Sequence, residues 1–340
     1  MKGIHTTKIL FLILLLGCSH EEVGVNIKTE KINGLSFVAS RDSINANNVN
    51  PVLNVNSNYV TLMPFAFIKD LNTPEVYFSS DRQWYGETLA GIEQYAKHFR
   101  TEEIKIMIKP QLWVWGGTYT GLIEMNAEDD WKILEDSYQE YILAFANLAQ
   151  KLNAEIFCIG TELEKFVLNR PEYWNGLINE IKQIYKGKLT YAANWDEYKR
   201  LTFWDDLDFI GVDAYFPLSD AQTPSVKEFE KGWKTHKEEI KNIQSTFKKQ
   251  ILFTEYGYRS VDFTGKEPWN SSHENDEVNL EGQENALQAL YNQFWKEDWF
   301  AGGFLWKWHP DHQNAGGVSN HRFTPQNKPA ETLLKQLYAQ

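Results

Sequence analysis

Ile156-Phe157-Cys158-Ile159-Gly160-Thr161-Glu162 is an apolar run that ends in an acid. Just upstream, residues 131–152 carry Ile133, Leu134, Tyr138, Tyr141, Ile142, Phe145, Leu148 and Ala149 at steps of three and four, the spacing of one helix face. This pairing of an amphipathic helix with an apolar strand recurs along the chain. Other apolar runs lie at 32–38, 59–67, 104–108, 189–193, 207–212, 250–254 and 300–306, making eight with 155–159. Helical patterns at 87–98, 172–185, 226–247, 281–295 and 330–338 separate most of them. Parallel strands need long crossovers, which helices fill, so alternation of the two implies a parallel sheet. Eight strands predict an α/β fold, a single (β/α)8 TIM barrel spanning 32–340. The fifth and sixth runs lie close together, so the helix between them should shrink to a turn or two.

Two longer stretches interrupt the pattern. Residues 40–57 are rich in Asn, and residues 260–280 are polar with Trp269 inside. Both read as insertions, after strands one and seven. That places them on the C-terminal rim of the barrel, where active sites are built.

The N-terminus has a different grammar. Lys2 and Lys8 precede the apolar run 9–16, and Gly17-Cys18-Ser19 follows. A charged start, a short apolar stretch and small residues describe a signal peptide over 1–17, too short for a permanent span. Leu15-Leu16-Gly17-Cys18 resembles the lipobox of bacterial lipoproteins, which implies lipidation of Cys18. Residues 18–31 then read as a tether, and anchoring to the bacterial envelope, at the outer membrane, is expected. Cys158 is the other cysteine of the chain. With Cys18 lipidated, no disulfide can form within the mature chain.

Composition narrows the partners. The formal charge is −12 and no Lys/Arg-rich stretch exists, which argues against nucleic acid, whose phosphates demand a basic surface. Thirteen Trp, sixteen Tyr and twenty Phe form an unusually aromatic set, most of which core filling accounts for. Aromatics fill cores first, yet their flat faces also stack on the C–H faces of sugars. No GxSxG, phosphate loop or dinucleotide fingerprint occurs in context. No cofactor is implied, and a monomer is expected. His309-Pro310-Asp311-His312 gathers potential ligands but lacks a distant third one, so it reads as the loop after strand eight rather than a metal site.

Two runs end in glutamates. Strand four ends at Glu162, and Ile251-Leu252-Phe253-Thr254-Glu255 ends strand seven. Simple alternation puts Glu162 on the side of Gly160 and Cys158, and Glu255 on the side of Phe253 and Ile251. An ionised carboxylate closing a buried strand costs free energy unless it is paired or used. Two of them on one barrel rim suit glycoside hydrolysis, in which one carboxylic acid protonates the leaving oxygen and a carboxylate attacks or activates water.

This layout resembles clan A of the glycoside hydrolases, in which strand four carries the acid/base and strand seven the nucleophile. The resemblance implies that Glu162 and Glu255 hold those roles, with the retaining separation of about 5–5.5 Å. It implies that Trp306, closing strand eight, is the sugar platform. Tyr215, after strand six, resembles the tyrosine that hydrogen-bonds the nucleophile. Strand five ends in Asn194 and Trp195, and strand three runs on from Lys109 to Trp113 and Trp115. Each supplies a polar group and an indole where sugar hydroxyls would lie. Asp213 reads equally as a substrate contact and as a buried structural carboxylate.

Most of the clan has Asn before the acid/base, whereas here Thr161 precedes Glu162. Ile159-Gly160-Thr161-Glu162-Leu163-Glu164 and Phe253-Thr254-Glu255-Tyr256-Gly257-Tyr258 resemble instead glycoside hydrolase family 113, known mainly for retaining β-mannanases. The resemblance implies cleavage of β-1,4-mannan or glucomannan. A β-glucanase, a xylanase, an exo-β-mannosidase and a non-catalytic glycan-binding lipoprotein remain open alternatives.

Overall fold

The computed structural model describes residues 30–80, 83–271 and 277–340; Cys18 and the residues read as signal peptide lie outside them. Eight parallel strands close into a barrel: β1 (Ile32–Phe37), β2 (Tyr59–Leu62), β3 (Lys105–Ile108), β4 (Ile156–Thr161), β5 (Lys188–Asn194), β6 (Phe209–Asp213), β7 (Gln250–Tyr256) and β8 (Phe300–Trp308). Each strand pairs with its neighbours in sequence, and β8 pairs with β1. This is a (β/α)8 TIM barrel.

Alternating side chains divide the apolar residues into two bodies. Ile32, Met107, Ile156, Cys158, Phe209, Leu252 and Phe304 fill the barrel interior. A larger set faces the surrounding helices, among them Ile210, Val212, Ile251 and Phe253. Cys158 is fully buried in the inner set, so its thiol is barrel filling. Where the helices meet the barrel, aromatics interlock: Phe253 stacks on Trp233 and lies edge-on to Phe294.

The helices are α1 (Ala46–Asn54), α2 (Leu89–Thr101), α3 (Glu128–Leu152), α4 (Glu164–Asn169), α5 (Pro171–Ile184), α6 (Val226–Phe247), α7 (Leu280–Phe294) and α8 (Pro329–Tyr338). Between β5 and β6 the helix is reduced to a 3-10 turn at Phe203–Asp206, as the short spacing required. The long α3 starts with Glu128, Asp129 and Asp130, whose charges favour the positive end of the helix. It ends at Asn153 with φ 50°, a left-handed cap that Asn tolerates.

Two expectations need correction. The Asn-rich stretch 40–57 is not an added loop, because Ala46–Asn54 within it is the first helix of the barrel. The Asn45 side chain accepts from Asn47 N–H and the Asn48 side chain accepts from Asn45 N–H, while Val49 and Val52 are buried. The asparagines that resembled a loop are its cap. The run 59–67 is also not one strand. After β2 and β3 the chain continues through Pro64 and Pro110 into a separate two-stranded parallel ribbon, Phe65–Ile68 with Gln111–Val114. Proline has no N–H for the barrel ladder, so each proline ends barrel pairing. The ribbon raises Gln111 and Trp113 above the barrel mouth.

Candidate active site

The two strands that end in glutamate each carry one extra residue just before it. Opposite β5, Cys158 pairs with Thr190 but Thr161 with Ala192, so β4 gains a residue across a two-residue step. Opposite β6, Val212 pairs with Phe253 but Asp213 with Glu255, so β7 gains one also. These are β-bulges, which reverse the alternation beyond them. Simple alternation therefore fails at both sites. Ile251 and Phe253 face the helices, whereas Glu255 faces the barrel mouth. Likewise a side chain on Gly160 would meet Tyr138, Trp174 and Tyr191 of the outer layer, not the interior that holds Cys158. The Ile159 carbonyl beside the bulge accepts a hydrogen bond from Tyr138 OH at 2.9 Å.

Glu255 is almost buried and is surrounded by donors. Tyr215 OH donates to Oε2 at 2.8 Å, Gln111 Nε2 donates to Oε1 at 3.1 Å, and Lys109 Nζ donates to Oε1 as well. Every one of these needs an acceptor, so the side chain serves them as a carboxylate. Lys109 is fully buried and also lies 3.3 Å from both oxygens of Asp213. Asp213 accepts from Thr254 Oγ1 at 2.7 Å. Burial first, and the neighbouring Glu255 charge second, raise its pKa to about 7, against the pull of Lys109.

Glu162 lives differently. Its φ is 50°, the left-handed region, which costs a residue with a side chain about 1 kcal/mol or more. Its carboxyl is half-buried and has no hydrogen-bond partner among the described residues. Burial, then the charges of Asp213 and Glu255, raise its pKa well above the usual carboxylate range. Two acids thus share one cleft, one bound by donors and one whose ionisation its surroundings oppose.

The cleft has two lobes that share Glu162, Glu255, Tyr119 and Trp306. The larger, about 580 Å³, is walled by Asn194, Trp195, Asp196, Tyr215, Trp269 and Phe323. The smaller, about 240 Å³, is walled by Phe65, Gln111, Trp113, Thr118 and Thr161. Residues 40–328 match the sequence model of Glycoside Hydrolase Family 113. The chain belongs to that family.

Solved family 113 structures share the fold. A β-1,4-mannanase complex is 22% identical, covers 91% of this chain and 99% of its own, and superposes with a TM-score of 0.79. A β-mannanase from Alicyclobacillus acidocaldarius in complex with ManMIm is 21% identical, with 91% and 97% covered and a TM-score of 0.78. A Faecalibacterium prausnitzii β-glucuronidase is more distant, at 16% identity and TM-score 0.60; 91% of this chain matches 49% of that one. No curated protein matches the sequence. As a family 113 glycoside hydrolase, the protein has a carbohydrate substrate.

The residues singled out in the sequence distribute unevenly around this family 113 cleft. Trp306, Tyr215, Asn194, Trp195 and Trp113 all line it. Lys109 does not fit as a sugar contact: fully buried under Glu255, it is a floor cation. Asp213 is equally buried and paired with Lys109, and it also lines the smaller lobe, so both readings of it stand. Trp115 is 56% exposed on the rim and lines neither lobe. His312 is tied to Glu331, and no group of acids, His or Cys among the described residues could hold a metal. The other rim acids are spoken for, Glu124 by Lys165 and Glu164 by Arg200.

Sequence reasoning missed Tyr119 and Phe323 as wall residues, and left Trp269 without a role. Trp269 stacks on Trp195 at 5.3 Å and 17° between planes, bringing the insertion after β7 against the strand-five rim. Only the aromatic type hinted at these residues; no spacing in the chain links them.

Lys109→Met removes the cation that neutralises two buried carboxylates, leaving like charges side by side. It is expected to destabilise the fold by about 3–5 kcal/mol. Denaturant unfolding checks this, and a loss below about 1 kcal/mol would show that the triad is not a structural linchpin.

Proposed function

We propose that the protein is a retaining endo-β-1,4-mannanase, acting on β-mannan or glucomannan by double displacement. The observation that carries this reading is the pair of acids in one cleft with opposite environments. Glu162, with its raised pKa, donates a proton to the leaving glycosidic oxygen. Glu255, held by Tyr215, Gln111 and Lys109, attacks the anomeric carbon and forms a glycosyl-enzyme. Esterification removes the Glu255 charge that helped to raise the Glu162 pKa. Glu162 then serves as base, taking a proton from the water that releases the sugar.

Support for internal cleavage comes from the cleft, whose two lobes share the pair, with Trp269 and Trp195 in the wall of one and Trp113 in the wall of the other. A chain threaded through both lobes can be cut away from its ends. Support for mannan comes from the family 113 mannanases of the same fold. The experiment is hydrolysis of mannan, glucomannan, xylan and cello-oligosaccharides, following reducing ends and product lengths. Mannan should yield a spread of oligosaccharides from the first minutes. Release of mannose alone would make the enzyme exo-acting, and preference for xylan or cello-oligosaccharides would move the substrate. Binding without new reducing ends would reject catalysis.

The lipobox-like Leu15-Leu16-Gly17-Cys18 supports lipid anchoring at the envelope, with the barrel on a tether. Labelled fatty acid should enter the wild-type protein and not Cys18→Ala.

A further inference from the structure

Glu162 is aimed from its backbone. Its N–H donates to Ala192 O at 2.8 Å, and its carbonyl accepts from Thr120 Oγ1 at 3.0 Å. The next N–H, of Leu163, donates to Tyr191 OH at 2.6 Å. Tyr191 is fully buried, and its ring lies against Gly160, where a side chain would come within 3.0 Å of Cε2. Having accepted from Leu163, the Tyr191 hydroxyl donates its own proton to Glu197 Oε1 at 2.7 Å. The other oxygen of Glu197 accepts from Asn194 N–H at 2.8 Å. Asn194 in turn donates through Nδ2 to Tyr119 OH at 2.9 Å, at the cleft wall.

Glu197 is fully buried, and no ion pair to it exists among the described residues. Burial raises its pKa to about 8, while the hydrogen bonds from Asn194 N–H and Tyr191 OH pull it back towards the carboxylate. The hydrogen bonds explain why the position holds an acid. Donors approach it from two sides, and a glutamine would turn an NH2 toward one of them. A carboxylate accepts on both.

We propose that Glu197 is a positioning residue for the acid/base: through Tyr191 and the Leu163 N–H it holds the left-handed turn at Glu162, and with its second oxygen it fixes Asn194. The proposal rests on the reading of Glu162 as acid/base. It adds to that reading a buried relay one layer beneath the cleft, contributed by the end of β5 and the turn after it.

Proton donation matters only when the leaving group needs a proton, so the test compares two substrates. One is a mannan oligosaccharide, whose leaving group is a sugar hydroxyl. The other is a dinitrophenyl β-glycoside of a shorter mannan oligosaccharide, whose leaving group departs without help. Tyr191→Phe and Glu197→Gln should lower kcat/KM on the oligosaccharide by about 10- to 100-fold, because small misplacements carry that penalty, and on the aryl glycoside by less than about threefold. Circular dichroism confirms the fold of each variant, and Tyr191→Phe decides alone if Glu197→Gln does not fold. Equal losses on both substrates, or no loss on either, overturn the proposal. So does failure of both variants to fold, which would make the relay part of the core alone. A wild-type enzyme that cleaves neither substrate would instead reject the hydrolase reading itself.

Discussion

Glu255→Ala is expected to lower kcat on β-mannan by about 10⁴-fold or more, the scale of losing a covalent nucleophile. The protein should still fold. Lys109 then keeps Asp213 as partner, so one buried cation faces one buried anion, and the like charge that raised the Asp213 pKa is gone. This contrasts with Lys109→Met, which leaves two anions without a cation. The variant creates a void floored by Tyr215 and Gln111, two donors that lose the Glu255 carboxylate, and by Lys109, which keeps Asp213. Azide can enter that void, accept from them and attack from the face that Glu255 occupied. With an activated aryl glycoside, added azide should therefore restore turnover and give a glycosyl azide of inverted configuration. Reducing-end assays and product NMR measure both effects. Activity within about tenfold of wild type would remove Glu255 from the nucleophile's role.

Glu162→Gln is expected to lower kcat on mannan by about 10²- to 10⁴-fold, the range of general acid catalysis. Formation of the glycosyl-enzyme from a dinitrophenyl glycoside should stay near wild type, because that leaving group needs no proton. The pH profile supplies an independent check. Wild-type kcat/KM should fall as pH rises through the raised Glu162 pKa, since the acid must be protonated, and this alkaline limb should vanish in the variant. In the variant, stability should move opposite to activity. Glu162 has a higher pKa folded than unfolded, so folding is favoured with it protonated, and this advantage is lost as pH rises through the folded value. A neutral glutamine avoids that loss and the half-buried charge. Glu162→Gln should therefore melt at the same or higher temperature than wild type on the alkaline side. A variant that loses mannan and aryl activity equally, with the alkaline limb intact, would place the acid elsewhere.

The β-bulges explain why the site was only partly legible in the sequence. That Glu162 and Glu255 close strands four and seven was readable from the runs of apolar residues, and Trp306 and Tyr215 from the resemblance to the clan at the ends of strands eight and six. The face each glutamate takes was not. Alternation grouped Glu255 with Phe253, but Phe253 packs on Trp233 while Glu255 meets Lys109. An extra residue in a strand leaves no local signature in side-chain type, since both registers keep apolar residues inside. Lys109 shows a second limit. A lysine after an apolar strand reads as rim, and only the bend at Pro110 and the two anions around its ammonium make it a buried floor.

The sequence by itself determined the eight-stranded barrel, because burying eight apolar runs with intervening amphipathic helices has few solutions, and local periodicity records them. It also determined which acids stand at strand ends. The tertiary structure decided what those acids meet: the bulges that turn them, the ammonium and tyrosine that hold Glu255, and the Tyr191–Glu197 relay behind Glu162. Glu255 reaches Lys109 across 146 residues and Tyr215 across 40. Environments assembled over such separations are set by register and packing, which no window of the chain contains.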